Sequence, residues 1–507
     1  MSFPVENSYD LYGRTQIAGQ LIKTTNKFYI YADQQWWSNL SSVTQNEINN
    51  RLYKLSSEFE YKIYPRLTQF YGPVGDLGFA DGRLLLLIEP LKTGIGGYVK
   101  VNCPHTIYLS ASNLSSAPQN LLYYELAHEF THIITFKLKP NEDIWLNELR
   151  AEYAETLFDY NNDLEKSNLR QRIKDLLLNT KVNLLRWENS RFDYAVVNLL
   201  GHYLVEQYGL NILADSLHAP YTGIESINYA LHKNGSSEDF SQVFRNWLIA
   251  VAVNDCSLGS KYCYQNPKLK GVGITPYSYY LPTTGYSSLS VTDSLRKWSG
   301  KWLRITGGRG MLKLKWKIPE ETPINKVPYI VVKNDGSKHL GFFDFSSTNE
   351  SEVYFSEFGK KNISVLMIPF LTTTDNVHPL FYYSFEANTS PQTNSSQEKV
   401  IQELLQKIAY LKQQIALLQA QLAQIKAHNN CSFFLSDLHY GTRGPEVSCL
   451  QQFLKNQGPD IYPEGLVTGY FGPLTKKAVQ RFQAKYSIPS TGYFGPLTRA
   501  TVNQLLR

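Results

Sequence analysis

Residues 126–136 read LAHEFTHIITF. Two histidines, His128 and His132, stand four apart, with Glu129 beside the first. Apolar residues flank them on both sides, as in a buried helix. Residues four apart on a helix share a face, so both imidazoles can turn to one ion. Glu129 lies one step round, off the ion but within reach of a water bound to it. Two neutral nitrogen ligands and a carboxylate base are what metal-activated hydrolysis requires, which is the physical reason for the HExxH spacing. A catalytic zinc site needs three protein ligands and an open fourth position, so one ligand has to come from elsewhere.

Residues 143–157, DIWLNELRAEYAETL, read as a second helix carrying Glu148, Glu152 and Glu155. Glu148 and Glu152 are four apart and can both face the first helix. Glu148 is taken as the third ligand. Glu152 is taken as a carboxylate that accepts a hydrogen bond from a ligand histidine and fixes its tautomer. Glu152, 20 residues after His132, stays open as a rival ligand. The alternative to a metal site is a pair of core histidines beside a solvated acidic face. That reading buries two imidazoles and several carboxylates without a cation, which is costly.

The pair HEFTH and WLNELRAEY resembles the gluzincin metallopeptidases, the group containing thermolysin-like enzymes and zinc aminopeptidases; the likeness spans roughly residues 25–255. It implies an α+β metallopeptidase domain with one catalytic Zn2+, ligands His128, His132 and Glu148, the general base Glu129, and Glu152 behind the ligands. Residues 194–209, YAVVNLLGHYLVEQYG, are similar to the helix of bacterial members that supplies an oxyanion-stabilising side chain. Tyr194 is the candidate by that match and His202 a weaker one; an ordinary buried tyrosine is the competing reading. The preceding strands would form the family's N-terminal sheet, with an edge strand within 95–110 binding extended substrate by strand addition. Two features depart from the family: Leu149 stands where glycine is usual, and the interval from His132 to Glu148 is shorter than in thermolysin.

Residues 1–270 are thus assigned to the peptidase-like domain. From 271 to 390, short β-rich runs such as KWLRITG, GMLKLKWKI and PYIVVKN alternate with turn residues, as in a β-sandwich. A polar linker occupies 391–400, and 401–428 reads as a coiled-coil helix. Its apolar residues from Ile401 to Ile425 alternate three and four steps, a heptad seam that favours a parallel homodimer; one amphipathic helix packed on its own chain is the alternative.

Residues 431–507 hold an internal repeat, TGYFGPLTKKAV at 468 returning as TGYFGPLTRATV at 491. Each copy places a threonine able to cap a helix just after Gly-Pro. The segment closely resembles the peptidoglycan-binding domain family, a small three-helix module, through Gly444, Val447, Leu450, Gln451 and Phe453 and then Gly469, Gly472, Thr475, Phe482 and Gln483. The resemblance implies peptidoglycan as a partner. Its apolar positions read mostly as core, so contacts are expected from exposed polar and aromatic groups such as Arg443, Tyr470 and Tyr493. Eight basic against four acidic residues give this segment a net +4, which suits an anionic wall polymer.

The whole chain of 507 residues carries a formal +6, too mild for dedicated nucleic-acid binding. No apolar run reaches the roughly 18 residues of a membrane span. Its five cysteines form no CxxC pair. Cys256 with Cys263, and Cys431 with Cys449, are candidate local bridges, leaving Cys103 alone; five reduced thiols is the competing reading. The wall-binding resemblance implies an extracellular or cell-wall location in a bacterium, with a leader removed from or absent in the given chain, and it supports the two bridges. Together these readings describe a multidomain, zinc-dependent endopeptidase acting on protein or peptide at the wall. A catalytically inactive surface-binding or adhesion protein on the same scaffold is the alternative.

Overall fold

The computed structural model describes residues 1–73, 75, 81–319, 324–373, 380–390, 407, 408, 411, 414, 415 and 433–506. Two compact units divide the chain, Met1–Gln392 and Thr393–Arg507.

The first unit begins with β1 (Ser2–Pro4), β2 (Gln16–Thr24), β3 (Phe28–Asp33), β4 (Leu84–Glu89), β5 (Gly97–Lys100) and β6 (Cys103–Ser110). They form one sheet in the order β1-β2-β3-β4-β6-β5. LLLLIE in β4 is continuously apolar because this strand lies parallel between β3 and β6 with both faces covered. Leu84, Leu86 and Ile88 enter the main core; Leu85 and Leu87 pack on the other face with Phe3, Tyr98 and Tyr108. β5 is left at an edge.

The HExxH motif lies in a helix of 20 residues, Gln119–Leu138, which runs through the main core. Every residue from Tyr124 to Thr135 is buried, so the helix is apolar nearly all round. The acidic helix follows at Ile144–Glu152, then helices at Asn168–Leu177, Arg191–Tyr208 and Phe240–Val253. Cys256 and Cys263 are joined by a disulfide with Cα atoms 5.0 Å apart. Cys103 is free.

One short strand, β7 (Lys181–Asn183), lies among the helices; the β-rich region comprises β8 (Tyr277–Leu281), β9 (Ser287–Leu295), β10 (Ser299–Lys301), β11 (Leu303–Gly307), β12 (Gly310–Lys317), β13 (Lys326–Lys333), β14 (Lys338–Asp344), β15 (Glu350–Phe358), β16 (Asn362–Met367), β17 (Phe370–Leu371) and β18 (Phe381–Ser390). One leaf runs β8-β11-β16-β13-β14 and the other β15-β12-β18-β9. A single pair, Phe358 with Asn362, joins them into one barrel-like sheet. Across the gap Trp316 meets Phe343, Tyr279 meets Phe385 and Tyr329 meets Phe355. The assigned boundary at 270 falls inside the compact unit. β10 pairs with β7 of the helical part, and Trp298 and Trp302 are buried in its core.

Residues 433–506 of the second unit hold three helices, Pro445–Asn456, Pro473–Lys485 and Pro496–Leu505, around Val447, Leu450, Phe471, Phe482 and Phe494. The repeated threonines do not cap these helices. Gly472 and Gly495 occupy the caps, each followed by proline at the first helical position, where its missing N–H costs nothing. Thr475 and Thr498 instead accept hydrogen bonds from the buried amides of Gln451 and Gln483, both at 2.9 Å. The two glutamines also receive backbone N–H groups from the turns, Gly469 at 2.9 Å and Gly492 at 2.8 Å. The sequence repeat is thus two copies of one amide-centred turn. Cys449 is disulfide-bonded; Cys431, the linker 391–400 and most of the heptad segment lie outside the described residues. Of the seam, Ile408, Leu411 and Ile415 are helical and exposed.

Candidate metal centre

Each ligand atom of a tetrahedral zinc site sits about 2.0–2.1 Å from the ion, which puts any two ligand atoms roughly 3.3 Å apart. The Nε2 atoms of His128 and His132 are 3.1 Å apart. Glu148 Oε2 lies 3.5 Å from the first and 3.4 Å from the second. One ion therefore fits at bonding distance from all three. Glu148 Oε2 is buried without a hydrogen-bond donor. Burial pushes its carboxyl up, but His132 and His128 prevail and hold it well below the usual carboxylate range. A buried carboxylate oxygen with no donor, facing two imidazole nitrogens at coordination spacing, is a donor set suited to a divalent cation. Zn2+ fits these residues.

Glu152 is not a third imidazole partner. Tyr124 stands between it and His128: the Tyr124 hydroxyl is 3.3 Å from His128 Nδ1 and donates to Glu152 Oε1 at 3.0 Å. The direct histidine–Glu152 bond read from the sequence is replaced by this phenol relay. Glu152 is fully occupied. Arg172 grips it through Nε at 3.0 Å and a terminal nitrogen at 2.7 Å, and the amides of Asn168 and Asn198 each donate at 2.9 Å. Burial raises this carboxyl, Arg172 overcomes the burial, and the group stays ionised. That leaves Glu152 no lone pair geometry for the rival ligand role. Glu155 serves elsewhere, accepting the N–H groups of Asn168 and Leu169 at 2.8 Å and so fixing the start of the helix that presents Arg172.

Glu129 is buried one residue beyond His128, and its Oε2 has no donor. Burial pushes its carboxyl up to about 8, against the pull of His132. The edge strand β5 runs directly over it: a Cβ on Gly97 would lie 3.2 Å from Glu129 Cγ and 2.7 Å from the carbonyl oxygen of Tyr108. Only glycine permits that approach. One turn earlier Glu125 is also buried, accepts from the Asn113 amide at 2.6 Å, and is pushed up to about 7 by burial.

Tyr194 begins the Arg191–Tyr208 helix and is half-buried. Burial, then the charges of Glu148 and Glu152, push its hydroxyl far up, so it is a hydrogen-bond donor at all ordinary pH. That hydroxyl donates to Asn189 Oδ1 at 2.8 Å, and Asn189 Nδ2 donates to Tyr9 at 3.1 Å. His202 has a different place. Its ring lies 2.7 Å from Thr156 Oγ1 and 2.8 Å from the Asn198 carbonyl, and burial pushes it down to about 4. It is a satisfied core histidine. Leu149, at the family's glycine position, packs on Gly201 of the Arg191–Tyr208 helix. Tyr124, Arg172, Asn168 and Asn198 escaped sequence reading. Tyr124 alone carried a signal, standing four residues before His128 on the same helical face.

In the C-terminal unit Arg443 lies over the Tyr470 ring at 4.2 Å, and the Tyr493 hydroxyl donates to Asp437 at 2.7 Å. Residues 443–502 match the family model of the putative peptidoglycan binding domain. The second unit thus carries a peptidoglycan-binding domain. No curated protein matches the chain. Similar solved structures include the pre-peptidase C-terminal domain of a collagenase from Bacillus anthracis, 8% identical, covering 22% of this chain and 97% of its own, at TM-score 0.17. A periplasmic inhibitor of g-type lysozyme from Aeromonas hydrophila is 11% identical, with coverages of 22% and 96% and TM-score 0.16. A Yersinia pseudotuberculosis-derived mitogen is 14% identical, with coverages of 22% and 91% and TM-score 0.15. At these TM-scores none of the three carries an argument about this chain. The wall-binding domain fits a cell-wall-associated or extracellular protein. Among the described residues no helix is long and apolar enough to cross a membrane.

Proposed function

We propose that the first unit is a zinc-dependent endopeptidase of the gluzincin kind, held at the bacterial cell wall by the C-terminal domain. The observation that carries this reading is the triangle of His128, His132 and Glu148, with edges of 3.1, 3.4 and 3.5 Å, beside the unpartnered carboxylate of Glu129. Zn2+ held by His128, His132 and Glu148 would supply Lewis acidity, polarising the scissile carbonyl and acidifying the attacking water. Glu129 takes the proton of the attacking water and hands it to the leaving amine. Tyr124 and Glu152 hold the His128 ring so that Nε2 presents its lone pair to the ion. Tyr194 donates to the developing oxyanion after exchanging its bond to Asn189. The free edge of β5 over Glu129 aligns an extended peptide by strand addition. The substrate is protein or peptide. Leu149 does not argue for an inactive scaffold, since Gly201 gives it room.

Elemental analysis and casein hydrolysis test the reading. One zinc per chain and turnover abolished by a chelator are expected; zinc-loaded protein without turnover overturns the peptidase and leaves the adhesion protein. Retention of the full chain on purified sacculi tests the anchor separately.

A further inference from the structure

We propose that a cavity of about 390 Å³ between the helical part and the β-rich region binds the carboxylate of an acidic side chain in a polypeptide substrate. This rests on the peptidase reading and adds a specificity site to it. Trp187 forms the shared wall: it lines the cavity and packs edge-on against Tyr194 with ring centroids 5.1 Å apart. Tyr194 in turn lies within the field of Glu148 and Glu129, so the Trp187–Tyr194 pair links the cavity to the surroundings of the triad.

The lining is cationic. Lys181, Arg186, Arg296 and Lys301 face Glu188 and Asp193 there. The acids are spent locally. Glu188 pairs with Arg186 at 2.9 Å, and Asp193 accepts the N–H groups of Ser190 and Glu188 at 2.9 and 3.1 Å in the helix cap. Lys301 is paired with Asp293 at 2.7 Å. Among the described residues no carboxylate pairs with Lys181 or Arg296.

The sheet register gives a second, independent sign. Lys181 of β7 and Lys301 of β10 are direct cross-strand partners. Like charges placed opposite each other weaken a strand pair. This pair is part of the seam joining the two regions, where stability alone would favour opposite charges. Asp293 neutralises Lys301, which leaves Lys181 as the open cation of the pair, and an anion in the cavity meets it together with Arg296. Trp187 and Phe192 offer apolar surface for the short stem of Asp or Glu, which singles out a side-chain carboxylate over an inorganic anion.

The test uses full-length protein carrying Glu129→Gln, which binds without turnover, and fluorescein-labelled hexaglutamate and hexaglutamine followed by polarisation. Hexaglutamate should bind tighter, and Lys181→Gln or Arg296→Gln should each weaken it about tenfold without weakening hexaglutamine. Lys181→Gln should also leave the melting temperature level, because among the described residues no carboxylate pairs with Lys181. Arg296 lies outside the strand pairing and serves if Lys181→Gln misfolds. Unchanged hexaglutamate affinity in both variants overturns the site, as does equal displacement by inorganic phosphate and by unlabelled hexaglutamate. Because the assay needs no hydrolysis, an inactive protein that still binds hexaglutamate through these residues sinks only the peptidase reading.

Discussion

Leu149 and Gly201 are complementary across two packed helices. A Cβ on Gly201 would sit 3.2 Å from both Cγ and Cδ2 of Leu149. The close approach of the two helices thus rests on the missing side chain of Gly201, which makes room for Leu149.

Gly201→Val should therefore destabilise the first unit by about 1–3 kcal/mol through overpacking. Leu149→Gly in the same chain should recover part of that loss, since contacting residues are non-additive. Urea unfolding of the two single variants and the double variant reads this; simple additivity would mean the two side chains do not share the space.

Tyr124→Phe removes the relay between His128 and Glu152 while leaving the Arg172–Glu152 pair in place. Zinc affinity should drop about 10–100-fold, the usual effect of losing the group behind a ligand histidine. Competition with a chromophoric chelator measures it. Glu152→Gln is a poorer probe, because it removes the charge that pairs with the half-buried Arg172 and so lowers stability as well as metal affinity.

Glu129→Gln should keep the metal and lose at least ~10²-fold in peptidase rate. Zinc content and turnover are measured on the same preparation. Undiminished turnover would remove Glu129 from the role of base.

His202 contributes a pH dependence of known sign. Its pKa falls from an ordinary 6.5 to about 4 on folding, through burial. Between those values the unfolded chain binds a proton that the folded chain refuses. Its stabilising effect is complete above pH 6.5 and is lost progressively as pH falls towards 4, about 3 kcal/mol in all. His202→Gln should flatten the fall in melting temperature across that window; an unaltered slope would assign the acid sensitivity to other groups.

The pairing of His128 with His132 was legible because helical spacing is a local property: the four-residue step fixes a face whatever the surroundings; Glu148, on a second helix, was reached only through the acidic spacing of that helix and the family resemblance, with Glu152 left open beside it. The tail was legible for a similar reason, since its repeated turn leaves a repeated string. What surrounds the triad was not. Arg172, Asn168 and Asn198 reach Glu152 from 16 to 46 residues downstream, and nothing in their own neighbourhoods marks that destination. The threonines of the repeat misled because a residue type suited to capping is equally suited to accepting a buried amide. Pairing of β7 with β10 joins residues more than a hundred positions apart, so the chain's change of texture near 270 looked like a border.

That pairing bears on how the protein can be dissected. A fragment ending near 270 would keep β7 but lose β10, Trp298 and Trp302. It would carry an orphaned strand edge and two indole-sized holes under the Phe240–Val253 helix. Such a truncated piece should clump or melt rather than work, so the smallest workable excision ends after β18.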